Sequence, residues 1–232
     1  MNGIHHLVVS VPAHNEEEWL SRCLASVDVA VEALHAKRPD IDSSVCVGLD
    51  RCTDRSEEVT TAHGALWVRS GAPGVGAARD AAILLGLGDL RVTDLDRVWL
   101  ACTDADTIVD PNWLVRHVMW AERGINLLVG TVEPHGELNP SVLALWHDLH
   151  DLVEDHGHVH GANLGIRGSH WRLAGGFGDL VLHEDADLVA RVRSATERWV
   201  ATDTVRVRTS GRLSSRVQGG FATFLAQLDP VT

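Results

Sequence analysis

The sequence predicts a single α/β domain with a mainly parallel central sheet flanked by helices. Short β-rich apolar runs alternate with segments of helical apolar spacing over the first ~130 residues. Those runs end in polar and acidic residues ahead of the next helix. No Ser/Pro tract, low-complexity stretch or internal repeat divides the 232 residues, so one domain over 1–232 is expected.

The elements follow in order. Ile4 to Val11 is an apolar β-rich run stopped by Pro12. Trp19, Leu20, Cys23, Leu24, Val27, Val31 and Leu34 then recur at threes and fours, the spacing of one helical face. Ser43 to Leu49 is a second strand ending at Asp50. Thr53 to His63 fits a helix with Asp54 as its N-cap, and Ala65 to Arg69 a third strand. Gly71 to Gly76 is a loop by its glycines, continued by a helix from Ala77 to Leu87. Arg97 to Cys102 is a strand ending in Thr103-Asp-Ala-Asp106. Asp110-Pro111 opens a helix carrying Trp113, Leu114, His117, Val118 and Ala121, with Pro in the first turn where it is tolerated. Asn126 to Val132 reads as a strand and Pro140 to Glu154 as a helix. Beyond them come the loop Asp155 to Ala162, a helix near Asp185 to Thr196 and a strand near Trp199 to Arg208.

Composition narrows the function classes. Apolar residues are 45% and charged residues 22%, ordinary globular values that exclude a disordered or fibrous chain. Lys and Arg number 20 against 32 Asp and Glu, a net charge of −12, and Lys37 is the only lysine. That acid excess argues against nucleic-acid or anionic-membrane binding. No apolar run approaches the 18 or so residues of a membrane span. The N-terminus reads as a buried strand rather than a signal peptide, and Cys23, Cys46, Cys52 and Cys102 form no CxxC pair. A soluble cytoplasmic protein is the expectation.

In an open parallel sheet, ligands bind outside the carboxyl ends of the strands. Here the first strand runs into Pro12-Ala-His-Asn-Glu-Glu17, the second into Asp50-Arg-Cys-Thr-Asp54 and the fourth into Asp104-Ala-Asp106. Acidic residues ahead of helices are ordinary caps when taken singly. Three such ends on neighbouring strands point instead to a nucleotide and metal site. Asp104 and Asp106 offer hard oxygen ligands to Mg²⁺ or Mn²⁺, ions that take one or two protein carboxylates and complete their shell on substrate phosphates.

The ordered set Val9-Ser-Val-Pro-Ala-His-Asn-Glu16, Leu49-Asp-Arg-Cys-Thr-Asp54, Gly76-Ala-Ala-Arg-Asp80, Thr103-Asp-Ala-Asp106, His160-Gly-Ala-Asn-Leu-Gly-Ile-Arg167, Gly175-Gly-Phe177 and His183-Glu-Asp-Ala-Asp187 resembles the family 2 glycosyltransferases of the GT-A fold. The resemblance covers nearly the whole chain. It implies a nucleotide-activated sugar donor, a divalent metal and a carboxylate base. It implies further a nucleotide-binding half over 1–106 and an acceptor-binding half over 107–232.

By that resemblance Pro12, Ala13 and Glu16 hold the base and ribose of the donor, and His14 stands where the family has a larger aromatic ring. Asp50 accepts from the pyrimidine N–H, which favours UDP, while Leu49 replaces a frequent acid. Gly76 and Arg79 lie beside the donor phosphates, and Asp80 replaces a frequent Asn. Asp104 faces ribose or metal, and Asp106 is the direct metal ligand. Ala162 and Asn163 fall in the segment lining the sugar and acceptor pocket, and Trp171 is either a flat face for a sugar or a buried core ring. In the base motif Asp185 takes the acceptor's proton, with Asp187 its competitor, and His183 is a further metal ligand in some related enzymes. The bland alternative is that both aspartates cap a helix.

His156, His158 and His160 alternate and share one face of an extended segment, but they lack a fourth ligand nearby, so no structural zinc is expected. The Gln-x-x-Arg-Trp motif and membrane helices of processive relatives are missing; Arg212-Leu-Ser-Ser-Arg216 and Gly219-Gly-Phe221 occupy that region. Arg212 or Arg216 either closes over the diphosphate or is a solvated surface arginine.

The expected activity is transfer of one sugar from a UDP-linked donor to a sugar, lipid-like or small-molecule acceptor, with inversion. Three rivals remain: a retaining GT-A enzyme acting on a small phosphorylated acid, a sugar nucleotidyltransferase, and a non-catalytic sugar-nucleotide sensor. The acidic Ala13-His-Asn-Glu16 turn argues against the second, and intact Asp104, Asp106 and Asp185 against the third.

Overall fold

The computed structural model describes residues 3–136, 138–178, 180, 182–213 and 221–228. Strand β1 (His6–Ala13) is buried from Leu7 onward and lies parallel to both β2 (Asp42–Leu49) and β4 (Val98–Cys102). With β3 (Leu66–Arg69), β5 (Thr107–Val109), β6 (Leu127–His135), β7 (Leu164–Arg167) and β8 (Trp199–Ser210) they form one eight-stranded sheet in the order β3-β2-β1-β4-β7-β6-β8-β5. Only β7 and β5 run against the rest. The α/β class and the mainly parallel sheet hold.

Side chains alternate across the strands, so each strand feeds two cores. Leu7, Val9 and Val11 of β1 and Trp99 and Ala101 of β4 pack with helices α1 (Leu20–Lys37) and α4 (Trp113–Glu122). Val8 of β1 and Val98, Leu100 and Cys102 of β4 face the other way. They meet Ile83 of α3 (Val75–Asp89), Trp171 of α6 (Gly168–Ala174), and Leu188, Val189 and Val192 of α7 (Glu184–Ala195). Helix α3 lies so close to β2 that a Cβ at Gly48 would sit 1.9 Å from the carbonyl oxygen of Ala78, so only glycine fits there. Helix α2 (Ser56–Ala62) flanks α1. A third, smaller cluster joins Val142 and Trp146 of α5 (Pro140–Leu149) to Leu225 of α8 (Phe221–Leu228).

The departures from expectation have local causes. The second helix starts at Ser56, later than Thr53, and its N-cap is Arg55 rather than Asp54, whose Oδ1 accepts the Ser56 N–H from the turn just ahead. Asp110-Pro111 forms a turn ahead of α4 rather than its first turn; Asp110 Oδ1 accepts the Asn112 N–H and its carbonyl accepts that of Trp113. Helix α5 ends at Leu149, five residues before Glu154. His150 turns extended, stacks on Trp146 at 4.5 Å, and donates from Nδ1 to the Trp146 carbonyl, which ends the helix. Strands β5 and β7 and helices α6 and α8 were not expected. The two strands are three and four residues long, too short to show a period.

His117 of α4 is fully buried between Trp99 and Trp113, and its Nδ1 accepts from Trp99 Nε1 at 3.0 Å. Burial pushes its titration down to about 3, partly countered by Asn163. A folded-state value below the unfolded one means the unfolded chain takes up protons first as pH falls below about 6.5. Stability from this group is therefore full above that pH and lost on acidification. Between pH 7.5 and 5 it accounts for about 2 kcal/mol. His117→Gln, which keeps an acceptor for Trp99, should be less stable at pH 7.5 yet lose correspondingly less by pH 5 in urea unfolding. Parallel stability curves for the two proteins would contradict this account.

Candidate functional site

The β1–α1 and β2–α2 turns are sewn together at the carboxyl edge of the sheet. Asn15, in the left-handed region at φ 55°, accepts on Oδ1 from the N–H groups of Thr53 and Asp54 and from Thr53 Oγ1. The Glu16 N–H donates to Ser56 Oγ and the Glu17 N–H to Asp54 Oδ2. Asp50 is buried at the end of β2. Its oxygens take the Arg51 guanidinium at 2.8 and 3.2 Å and the Gly74 N–H at 3.1 Å. Burial works against its charge, but these partners prevail and hold the carboxyl below its ordinary range. His14 donates from Nδ1 to the Asp50 carbonyl, which fixes its tautomer and leaves Nε2 as an acceptor. Pro12 and Ala13 close β1 beside Gly48 and Leu49.

Arg79 is the centre of the site. Its side chain is 3% exposed, with one terminal nitrogen 2.6 Å from Asp104 Oδ1 and the other 2.7 Å from Glu184 Oε1. The guanidinium also lies over the Phe177 ring at 5.2 Å. Burial pulls its proton affinity down, but Asp104 and Glu184 more than restore it, so Arg79 stays charged. In this conformation both terminal nitrogens of Arg79, which is expected beside the donor phosphates, are engaged by carboxylates. Gly76 opens α3 against Phe177, Gly178 and Glu184, and a Cβ there would come within about 3.1 Å of all three.

Asp106 lies at the mouth of the sheet, its side chain 16% exposed. Burial and the neighbouring Asp104 push its carboxyl up to about 6, against the pull of Arg212. Thr209 Oγ1 donates to Asp106 Oδ1 at 3.2 Å, and Arg212 reaches Oδ2 at 3.1 Å. Arg212 grips Glu16 with both terminal nitrogens, at 2.6 and 2.7 Å. Asp104, Asp106 and Glu16 are hard oxygen donors near one another at one edge. That donor chemistry fits Mg²⁺ or Mn²⁺. Among the described residues no three His, Cys, Asp or Glu side chains gather into a cage that could hold an ion alone. His183 is the left-handed residue ahead of α7, at φ 62°.

Asp185 follows Glu184 in the first turn of α7. Its Oδ2 accepts the Gly161 N–H at 2.7 Å and its Oδ1 the Ala186 N–H at 2.7 Å. Gly161 is held against Arg79 so tightly that a Cβ would lie 2.4 Å from the guanidinium. Asp187, the competitor, is committed to Arg191 at 2.7 Å. Beside Asp185 stands His160, pushed down to about 4 by burial despite that carboxylate. The rings of His156, His158 and His160 follow one another at 6.2 and 6.3 Å on one face, with His150 stacked on His158 at 4.6 Å.

Other expected residues take structural roles. Asn163 is fully buried: Oδ1 accepts from Trp113 Nε1, and Nδ2 donates to the carbonyls of Thr131 and Val205. Trp171 is the buried core ring, its Nε1 donating to Asp80 Oδ1 at 2.8 Å, and Asp80 also accepts the Phe177 N–H. Arg216, Gly219 and Gly220 lie outside the described residues. Sequence reasoning missed the Arg79–Glu184 pair and the Arg212–Glu16 pair, since partners 105 and 196 residues apart leave no local pattern.

The model of the family described as "Glycosyl transferase family 2" matches residues 8–147, more than half of the chain. The chain belongs to glycosyltransferase family 2. Solved structures with the same fold include S. aureus TarS in complex with UDP-GlcNAc (TM-score 0.65, 13% identity, covering 94% of this chain and 62% of that one). The mannosyltransferase PcManGT from Pyrobaculum calidifontis, in complex with GDP-Man and Mn²⁺, is similar at TM-score 0.61 and 15% identity (93% of this chain, 59% of that one). M. tuberculosis glucosyl-3-phosphoglycerate synthase is similar at TM-score 0.56 and 20% identity, over 97% of this chain and 77% of that one. The chain spans about three fifths of the length of the TarS fragment. No curated protein matches it. At these identities the likeness establishes the GT-A fold, and no helix among the described residues is long and apolar enough to cross a membrane.

Removing the Arg79 charge should leave Asp104 and Glu184 unpaired. Arg79→Met is expected to lose about 3–5 kcal/mol of unfolding free energy, the cost of breaking a buried pair. Arg79→Lys, whose single ammonium cannot span both carboxylates, should fall between. Urea unfolding at pH 7.5 checks this, and wild-type stability in Arg79→Met would refute it.

Proposed function

We propose that this family 2 glycosyltransferase transfers one sugar from a UDP-linked donor to a hydroxyl acceptor, with inversion. The observation that carries the reading is the Arg79 bridge. It ties Asp104, at the end of β4, to Glu184, the residue before Asp185, and so sets the base beside the acidic donor edge.

On this reading residues 1–106 supply most of the donor site and 107–232 the acceptor side. Pro12, Ala13 and Glu16 line the base and ribose, His14 offers a ring face, and Asp50 accepts the uracil N–H. Gly76 keeps the turn beside the diphosphate narrow, while Arg79 works through Asp104 as a positioning residue. Asp104 faces ribose, and Asp106 holds Mn²⁺ or Mg²⁺ with His183 as an accessory ligand. A divalent ion held there supplies Lewis-acid neutralisation of the diphosphate charge. Asp185 takes the acceptor hydroxyl's proton as that oxygen attacks the anomeric carbon. The Gly161 N–H orients the carboxylate, and the imidazoles of His158 and His160 border the acceptor. Asp187, engaged by Arg191, is the less suited base.

UDP should bind with Mn²⁺ or Mg²⁺ and much less well after chelation, and Asp106→Ala should abolish the metal-dependent part. In thermal shift, ligand at 100 times its Kd adds about 2.7 kcal/mol, which is readily seen. Equal binding of GDP would sink the uridine assignment, and chelator-indifferent UDP binding the metal.

Asp185→Asn keeps the shape but removes the proton site. Turnover to an acceptor found in a panel of sugars, glycolipids and phosphorylated acids should drop by about 10²–10⁴. UDP affinity should hold. Loss of turnover only in Asp187→Asn would move the base two residues along, and full transfer in both variants would favour the retaining alternative.

A further inference from the structure

The pairing of β5 with β8 brings two distant segments together at the mouth of the site. Thr107 lies opposite Thr209, and the Ser210 N–H donates to the Asp106 carbonyl at 3.0 Å. The chain leaves β8 at this point, and Arg212, two residues on, is delivered over Asp106. Its guanidinium is shared. Both terminal nitrogens hold Glu16, and one of them also lies 3.1 Å from Asp106 Oδ2. The other Asp106 oxygen is engaged by Thr209 Oγ1. Both oxygens of Asp106, the carboxylate proposed to bind metal, are thus engaged, Oδ1 by a hydroxyl and Oδ2 by a cation.

We propose that Arg212 competes with the divalent cation for Asp106, the guanidinium and the ion being alternative partners of one carboxylate oxygen. The inference rests on the metal reading of Asp106 given above. A guanidinium and a divalent ion on that one oxygen would repel each other strongly at contact distance. A divalent ion carries twice the charge and binds a carboxylate oxygen at shorter range than a guanidinium does, so it displaces the arginine. Glu16 retains Arg212 through its two-pronged contact. The arginine therefore stays at the rim, a few ångströms from where a diphosphate meets Asp106, with its hydrogen-bonding capacity partly released. Metal loading and release of Arg212 from Asp106 are one event, and Arg212 sets the metal affinity.

The test is Mn²⁺ binding in the presence of UDP, in metal-stripped buffer with the full chain and a UDP-only blank, read by the electron paramagnetic resonance signal of free Mn²⁺. Arg212→Gln should bind Mn²⁺ about tenfold or more tightly than the wild type, because a like charge has been removed from beside the ion. Arg212→Met, of similar length and uncharged, should do the same and serves if the Gln variant fails to fold. Asp106→Asn should lose the binding in either background. Unchanged or weaker Mn²⁺ affinity in both Arg212 variants, with Asp106→Asn still abolishing binding, would overturn the competition and leave the metal reading standing. Binding that survives Asp106→Asn, or is missing from the wild type and both Arg212 variants, would overturn the metal reading and the competition with it.

Discussion

A guanidinium buried between two carboxylates governs this structure. Taking Arg79 out of water costs several kcal/mol, and the charge survives there only because Asp104 and Glu184 both contact it. That requirement couples three elements: α3, which carries the arginine, the end of β4, and the first turn of α7. It also explains the packing around it. Gly161 has no room for a side chain because the guanidinium fills the space, and its N–H is then directed at Asp185. Phe177 covers the guanidinium from one side.

Around this pair the acidic edge is balanced unevenly. Asp104 has its own arginine, while Asp106 shares Arg212 with Glu16, and burial beside Asp104 leaves it short of positive charge. On the proposed reading, a divalent ion held at this edge would offset the surplus of carboxylate over cation. The surplus of acid in the whole chain has little to do with this; the position of four or five groups decides it.

The histidine-lined side differs in character. Imidazoles of His150, His156, His158 and His160 line up from Trp146 towards Asp185, with Phe221 and Phe224 of α8 edge-on to two of them. Burial keeps His150, His156 and His160 neutral at ordinary pH. The relatives of similar fold carry different donors, UDP-GlcNAc in one and GDP-Man in another, so the fold does not name the sugar.

The sequence by itself determined the alternation of strand and helix, because apolar periods of two and of three to four are local and survive in one dimension. The long helices and strands were legible within a few residues. It also placed acids at the ends of β1, β2 and β4, since parallel strands in an open sheet bring those ends together. Its short elements were not legible: β5 and β7 owe their existence to the neighbours they pair with. Nor were the partners of the site residues. That Arg79 meets Glu184, that Arg212 reaches Glu16 and Asp106, and that Asn163 turns into the core all depend on contacts between segments far apart in the chain. Spacing along a sequence carries no information on such contacts, because the chain's folding path, rather than its local periodicity, decides which distant side chains share a dielectric and a charge.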